Sequence, residues 1–316
     1  MQINAASKVS APQKSSANKQ PASSSAPQAG DSYNSANAIQ VMTFNTAGDG
    51  CRNTPENEIA LSQPFQKVVK GAADAPIIAC QETTPTLAKS VQGLAKNGNF
   101  QVVWPGGHTW LPGFLASTLG QGNLVLVPKR YKVLGVQAHT YKGRLGLFWN
   151  ALKGVVFHHQ PVNNLLLACQ KRGYESIALQ DKNTGKKFTV IATHVAFDPK
   201  VRALEAPQLT AAIKDAEAKG PVTVMGDFNT ASEATNFSHN QNVADFWKQI
   251  DTTGVQDVGA KDNTDESGHD IDHVLQKGFN VVGDEVLDGN KLTIPGRTDA
   301  KQVSDHYAHE VTLSLN

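Results

Sequence analysis

Six stretches of the sequence run apolar and then stop on, or start beside, side chains able to bind a metal ion or a phosphate. "VMTFN" ends on Asn45, "IIACQE" on Glu82, "TVIATH" on His194, and "TVMGDFN" on Asp227 and Asn229. "SDH" places Asp305 and His306 just before the last apolar run, and "GHDIDHVL" sets Asp272 at the start of another. Taken singly each has an ordinary account, because loops after strands are polar and Asn and Asp are turn residues. Taken together, on strands that should lie side by side, they fit the hydrolysis of a phosphate ester. A hard divalent ion such as magnesium, with manganese as its substitute, takes oxygen ligands and keeps several waters, so one or two carboxylates plus the substrate phosphate hold it. Glu82 suits that role, with Asn45 and Asp305 nearby. An in-line water must then be oriented and deprotonated, which Asp227 can do with Asn229 positioning it. His194 and His306 can donate hydrogen bonds to the phosphoryl oxygens as negative charge builds there, and one of them can protonate the leaving oxygen. A histidine in such a role needs a carboxylate to fix its tautomer, and Asp272 is the candidate partner of His306.

These residues need rigid elements behind them. "AIQVMTF" from Ile39 reads as a strand, and "TPENEIALSQPFQKVVKGA" as a helix capped by Thr54 with Pro55 at its first position. "PIIAC", "FQVVW", "GNLVLV" and "YKVLGVQA" are further strands, interrupted by a helix from Pro85 that Thr84 caps. "YESIALQ" and "KKFTVIATH" flank the turn residues of "DKNTG" and so form a hairpin. A helix from about Lys200 to Ala218 leads into "PVTVMG", and the alternating "AHEVTLSL" closes the chain. Many strands, few helices and mixed connections imply an α/β layered sandwich in one domain, residues 38–316.

Residues 1–37 are Ser, Ala, Gln, Asn and Pro with almost no large apolar side chains, a composition that cannot offset the cost of ordering the backbone. They read as a tail: a linker, or an uncleaved leader for a specialised bacterial secretion system, whose composition it resembles. No run approaches the ~18 apolar residues of a membrane span, and the N-terminus lacks the apolar core of a signal peptide. The expected location is therefore the cytoplasm, or export by such a system. Cys51, Cys80 and Cys169 are scattered without paired spacing, so they read as free thiols in a reducing compartment. Of 29 basic and 28 acidic groups, three lysines and one aspartate lie in the tail, which leaves 26 and 27 for the domain. That balance gives no electrostatic footprint for nucleic acid and does not exclude one.

"TFN", "QE", "GN-L-V-L", "ATH", "GDFN", "IDH" and "SDH", in that order between Ile39 and Leu315, resemble the motifs of the endonuclease/exonuclease/phosphatase superfamily. "VSDHYAHEVTLSL" and "VTVMGDFNTAS" resemble its deoxyribonuclease I-like branch in particular, and "ATH" fits the members that also include sphingomyelinases and inositol-phosphate phosphatases. The resemblance implies a four-layer sandwich of two β-sheets flanked by helices, with a magnesium-dependent phosphoesterase site at one end of the sheets. It implies Asn45, Glu82 and Asp305 at the metal, His194 as phosphate ligand and acid, and Asp227 and Asn229 around the attacking water. Asp272 with His306 forms the implied dyad, while Asn123 and Arg172 match substrate-binding positions. Where deoxyribonuclease I carries an arginine that enters the DNA minor groove, "QETTPT" has Thr84, and the disulfides of that nuclease have no counterpart. Nucleic acid is the first expected substrate, with phospholipid or inositol phosphate as the alternative.

Other residues carry less. His158 and His159 are adjacent, so on a strand they point to opposite faces and read as surface or loop histidines. "WPGGHTWLPGF", with Trp104, His108 and Trp110, reads as a substrate-recognition loop or a packed turn, and Lys129, Arg130 and Lys171 as phosphate contacts or, more ordinarily, a solvated basic face.

Overall fold

A computed structural model describes residues 38–46, 63–96, 98–105, 121–142, 172–231, 241–258, 263–265, 267–287 and 304–315. Two six-stranded sheets form the centre. The first is built from β1 (Ala38–Asn45), β2 (Ile77–Thr83), β3 (Phe100–Val103), β4 (Gly122–Pro128), β11 (Phe279–Leu287) and β12 (Ala308–Leu315), in the order β11-β12-β1-β2-β4-β3. The second holds β5 (Tyr131–Thr140), β6 (Gly173–Asp181), β7 (Lys187–His194), β8 (Val222–Asp227), β9 (Gln256–Asp257) and β10 (Asp272–Lys277), in the order β5-β6-β7-β8-β10-β9. Helices α1 (Gln63–Lys70) and α2 (Pro85–Ala95) cover the outer face of the first sheet; α3 (Pro199–Glu217) and α4 (Gln241–Asp251) cover that of the second. The expected four-layer α/β sandwich is what the chain forms.

The layers follow from strand periodicity, since successive side chains of a strand point to opposite faces. Ile39 and Val41 of β1, Val125 and Val127 of β4, Ile177 and Leu179 of β6, Val190 and Ala192 of β7, and Val274 of β10 pack between the sheets. Their neighbours in sequence face the helices: Met42, Phe44, Leu124 and Leu126 meet Phe65, Leu87 and Val91, while Ile191, Val224 and Leu275 meet Leu209, Ile213, Phe246 and Trp247. Following the inner rows to one end explains the site. Ile39 and Val41 lead to Asn45, Val190 and Ala192 lead to His194, Met225 leads to Asp227, and Val274 leads back to Asp272. The apolar layer becomes polar where the parallel pairs β1–β2 and β7–β8 have their C-terminal ends and the antiparallel β10 and β12 begin.

The helix capped by Thr84 is present: Thr84 Oγ1 accepts from the Leu87 N–H at 3.2 Å and Pro85 opens the first turn. In α3 the cap is Asp198, whose carboxylate accepts from the Lys200 and Val201 N–H groups. Helix α1 is seen from Gln63 to Lys70; the expected start at Thr54 lies outside the described residues. Arg130 differs from the expected solvated face. It spans Asp181 (2.7 and 3.2 Å) and the Ala38 carbonyl (2.8 Å), closing the end of the sandwich away from the site. Cys80 is a free thiol in the core, and burial pushes its pKa up. Cys51, Lys171, Cys169, His108, Trp110, His158 and His159 lie outside the described residues. No described helix is long and apolar enough to cross a membrane.

Candidate active site

Asp227 is the centre of the site. It ends β8 beside His194 at the end of β7, and it faces Asp272 at the start of β10. One step earlier, Gly226 leaves no room for a side chain, because a Cβ there would collide with the Thr193 carbonyl oxygen. The glycine of "GDFN" therefore lets β7 and β8 close tightly beneath the two catalytic candidates. Asp227 Oδ2 accepts from Asn45 Nδ2 at 2.9 Å, a bond that joins one sheet to the other. Its Oδ1 accepts the Asn229 N–H at 2.7 Å. Asn229 then turns back: its Nδ2 lies 3.2 Å from His194 Nε2 and 3.0 Å from the Val195 carbonyl oxygen.

Asn229 (φ +50°) and Glu82 (φ +52°) are the non-glycine residues with left-handed backbone among those described. Such conformations persist only where the surroundings hold them, and they concentrate at functional sites. Glu82 sits where the β2–β4 register breaks, between Cys80 and Thr83, and its Oε1 lies 3.8 Å from His194 Nε2 and 3.9 Å from Arg172 Nη2. Arg172 Nη1 also meets His194 Nε2 and donates to the Val195 carbonyl oxygen at 2.6 Å. The ligand atoms of Glu82, His194 and Asp227 converge within 4.8 Å of one another, and so do those of Asp227, Asp272 and His306.

The expected dyad forms. His306 Nδ1 lies 2.7 Å from Asp272 Oδ2. Asp272 is held in turn by its own N–H on Thr264 Oγ1 (2.9 Å), and the His306 N–H donates to Ser304 Oγ, which donates to the Asn45 carbonyl oxygen at 2.7 Å. Burial works against a charged His306, but the Asp272 carboxylate outweighs it and the pKa lies above the ordinary imidazole range. Asp272 is shifted up by its burial, with His306 offsetting part of the shift. For Asp227 burial also opposes charge, yet His194, His306 and Arg172 together hold the carboxyl below the usual carboxylate range. His194 is lowered, first by burial and then by the Arg172 charge, so its ring is neutral and its Nε2 accepts from Arg172 and Asn229.

Asn45, Glu82, Arg172, His194, Asp227, Asn229, Asp272 and His306 are thus brought to one end of the inter-sheet layer. Asp305 is not within either convergent group; it is exposed beside His306 and reaches that ring through its charge. Asn123 is buried, and its Nδ2 donates to the Gly173 carbonyl oxygen at 3.1 Å. Thr84 is committed to its helix cap. Residues outside the expected site set also matter here: Ser304, which opens "SDH", and Thr264 under the dyad, and Glu175 beside Asn123. The alternation of "YESIALQ" already places Glu175 on the inner row with Ile177 and Leu179.

Burial pushes the Glu175 carboxyl up to about 8, against a smaller opposite effect of Asn123. An unfolded glutamate releases its proton near pH 4.3. The stability that goes with the neutral group is therefore fully present below that pH and is lost as pH rises through about 8. Glu175→Gln, which cannot ionise, should match wild type in thermal melts near pH 4 and exceed it by a growing margin up to pH 8. Parallel profiles for the two proteins would show that Glu175 is not a buried acid.

Comparison with protein-family profiles and with curated proteins gives no match. Solved structures do match. An endonuclease/exonuclease/phosphatase from Bacteroides vulgatus is 18% identical, with 88% of this chain and 99% of that chain covered at a TM-score of 0.62. A mannosyl-6-phosphatase from Bacteroides thetaiotaomicron is 16% identical over 88% of this chain and 100% of that one, at 0.61. The D. rerio TDP2, solved with a single-strand DNA product, is 13% identical over 88% and 99%, at 0.57. At such identities likeness is a matter of architecture, and by it the chain has the fold of the endonuclease/exonuclease/phosphatase superfamily.

Proposed function

We propose that residues 38–316 form a divalent-metal-dependent phosphoric ester hydrolase that cleaves the phosphodiesters of nucleic acid. The observation that carries the reading is the shared carboxylate, Asp227. It is buried, ionised and hydrogen-bonded across the two sheets, with a His–Asp pair on one side and Glu82 and His194 on the other. Glu82 and Asn45, with Asp305 at the rim, offer the hard oxygen donors that magnesium takes, and the three ligand atoms around Glu82 converge closely enough for one small ion. When bound, the ion would draw electron density from the phosphoryl oxygen. Asp227 stays ionised at neutral pH and can accept a hydrogen bond from an in-line water, with Asn229 as its second anchor. His306 is protonated, with Nδ1 committed to Asp272, and so can donate from Nε2 to charge developing on the phosphate. Arg172 brings a guanidinium to the same place and can pair with a phosphate oxygen as it now pairs with His194. Glu82→Gln should raise the magnesium concentration needed for half-maximal activity by at least about tenfold; an unchanged magnesium titration would take Glu82 away from the metal.

The nucleic-acid reading draws on the TDP2 likeness, and a smaller phosphate ester is the second reading. It is favoured by Thr84, which caps a helix where a groove-binding arginine would stand, and by the likeness to a sugar phosphatase. Supercoiled plasmid, inositol phosphates and sphingomyelin vesicles, each incubated with magnesium or with EDTA, separate the two. Magnesium-dependent nicking that disappears in a His194→Ala/His306→Ala variant supports a nuclease. Turnover of the small esters or the lipid alone supports the second reading, and no turnover of any from folded protein contradicts both.

A further inference from the structure

The segment that follows Asp227 is gripped from beneath by two buried cations. His273 neighbours Asp272 on β10 but points to the other face of the sheet, among the residues that pack on α4. It is 1% exposed, with Nδ1 2.9 Å from Asp257 Oδ2 and Nε2 2.9 Å from the Thr230 carbonyl oxygen. A carboxylate and a carbonyl only accept, so both ring nitrogens donate and the ring is an imidazolium. Trp247 and Phe228 stand edge-on to it, with centroids at 5.0 and 5.5 Å. Burial works against that charge, yet Asp257 holds the pKa up to about 9. The preceding carbonyl, of Asn229, accepts from Arg202 Nη1 at 2.6 Å; Arg202 lies on α3, is 3% exposed, and also reaches the Ala196 carbonyl oxygen at 3.3 Å.

Burying a cation is costly unless its hydrogen bonds are met, and a core needs none here. What the two cations hold in common is the pair of consecutive carbonyls, of Asn229 and Thr230, that directly follows the left-handed Asn229 Cα. That turn is what sends the Asn229 N–H to Asp227 and its Nδ2 to His194 and Val195. We propose that His273, charged by Asp257, and Arg202 are positioning residues: a two-cation clamp on the Asn229 and Thr230 carbonyls that keeps Asp227 and Asn229 in reactive geometry. Its catalytic consequence rests on the hydrolase reading above, whereas its effect on the backbone does not.

The test uses His273→Gln and Asp257→Asn in the full chain. The second variant keeps the ring and its volume but removes the countercharge, so the ring turns neutral: Nδ1 accepts from the new amide, Nε2 keeps its proton, and its bond to the Thr230 carbonyl loses its charge assistance; a merely space-filling histidine would not register it. Amide exchange of the 226–231 segment should rise at least tenfold in both variants while that of β7 and β10 stays as in wild type. The kcat for whichever phosphoester is turned over should fall at least tenfold with KM within twofold. If His273→Gln does not fold, Asp257→Asn decides alone. Unchanged exchange in the segment, or a rise spread evenly over the whole domain, overturns the clamp. A wild type that turns over no phosphoester overturns the hydrolase reading and leaves exchange to judge the clamp.

Discussion

His306→Ala is expected to lower kcat by about a hundredfold to ten-thousandfold, the range for losing a positioned proton donor. It should also destabilise the fold, and the two effects can be separated. Asp272 is fully buried and loses the partner that meets its Oδ2, and an uncompensated buried carboxylate costs about 3–5 kcal/mol. Asp272→Asn in the same chain removes that charge. The double variant should therefore melt higher than His306→Ala while remaining as inactive, because the two residues act as a unit. The pair also has a pH signature. Burial opposes the His306 charge but Asp272 prevails and raises its pKa, so the stability it contributes is complete below the ordinary imidazole range and is lost as pH rises through the raised value. Alkaline melts of wild type should fall toward those of the double variant. If His306→Ala keeps wild-type kcat, the ring has no part in the chemistry, whatever its hydrogen bonds.

Asp227→Asn should cost more, about a thousandfold or beyond, because one carboxylate serves three tasks. It receives Asn45 across the sheets, receives the Asn229 N–H, and supplies negative charge between Arg172, His194 and His306. An amide can accept on one side only. Its NH2 must face either Asn45 Nδ2 or the Asn229 N–H, both donors, so the local network breaks as well as the charge. Since His306 is raised partly by Asp227, its pKa should fall in the variant, which a histidine proton titration by NMR would read directly. The wild-type carboxyl is buried yet held below the usual range by His194, His306 and Arg172. The stability it gives is therefore present above the ordinary carboxylate pKa and is lost as acid carries the protein down through the lowered one. Acid melts of Asp227→Asn should lack that loss.

How much of this is legible from residues alone depends on whether the deciding contact is local. Strand rows such as "AIQVMTFN" and "KFTVIATH" carry their alternation in plain view, and following the inner row to its end leads to Asn45 and His194. Thr84 marks a helix start correctly because capping involves residues three apart. Helix α4 carries Val243, Phe246, Trp247 and Ile250 at helical spacing on one face, a local pattern that a reading led by motifs passes over. Strand β11 offers little to read, being an edge strand with Phe279 alone buried and a bulge between Val281 and Gly283. The site divides in the same way. Motif residues mark which side chains matter, but that Asp227 bridges the sheets, or that Arg172 sits against Glu82 and His194, depends on strand pairing between distant segments. Asp305 is the motif residue that both convergent groups leave out, because the turn before β12 exposes it beside His306. His273 is masked by its neighbour, because in "IDH" the aspartate attracts attention and the histidine faces the other side of the sheet.

The most direct test of the account is release of nitrophenol from bis-nitrophenyl phosphate, a diester with no base, sugar or lipid to recognise, measured with magnesium, with EDTA, and with Asp227→Asn. The account predicts release proportional to protein with magnesium, none with EDTA, and a drop of at least about a thousandfold in the variant, the combined loss of proton acceptance and charge. Equal release from wild type and Asp227→Asn, or none from folded wild type on this diester and on the natural esters alike, would contradict it.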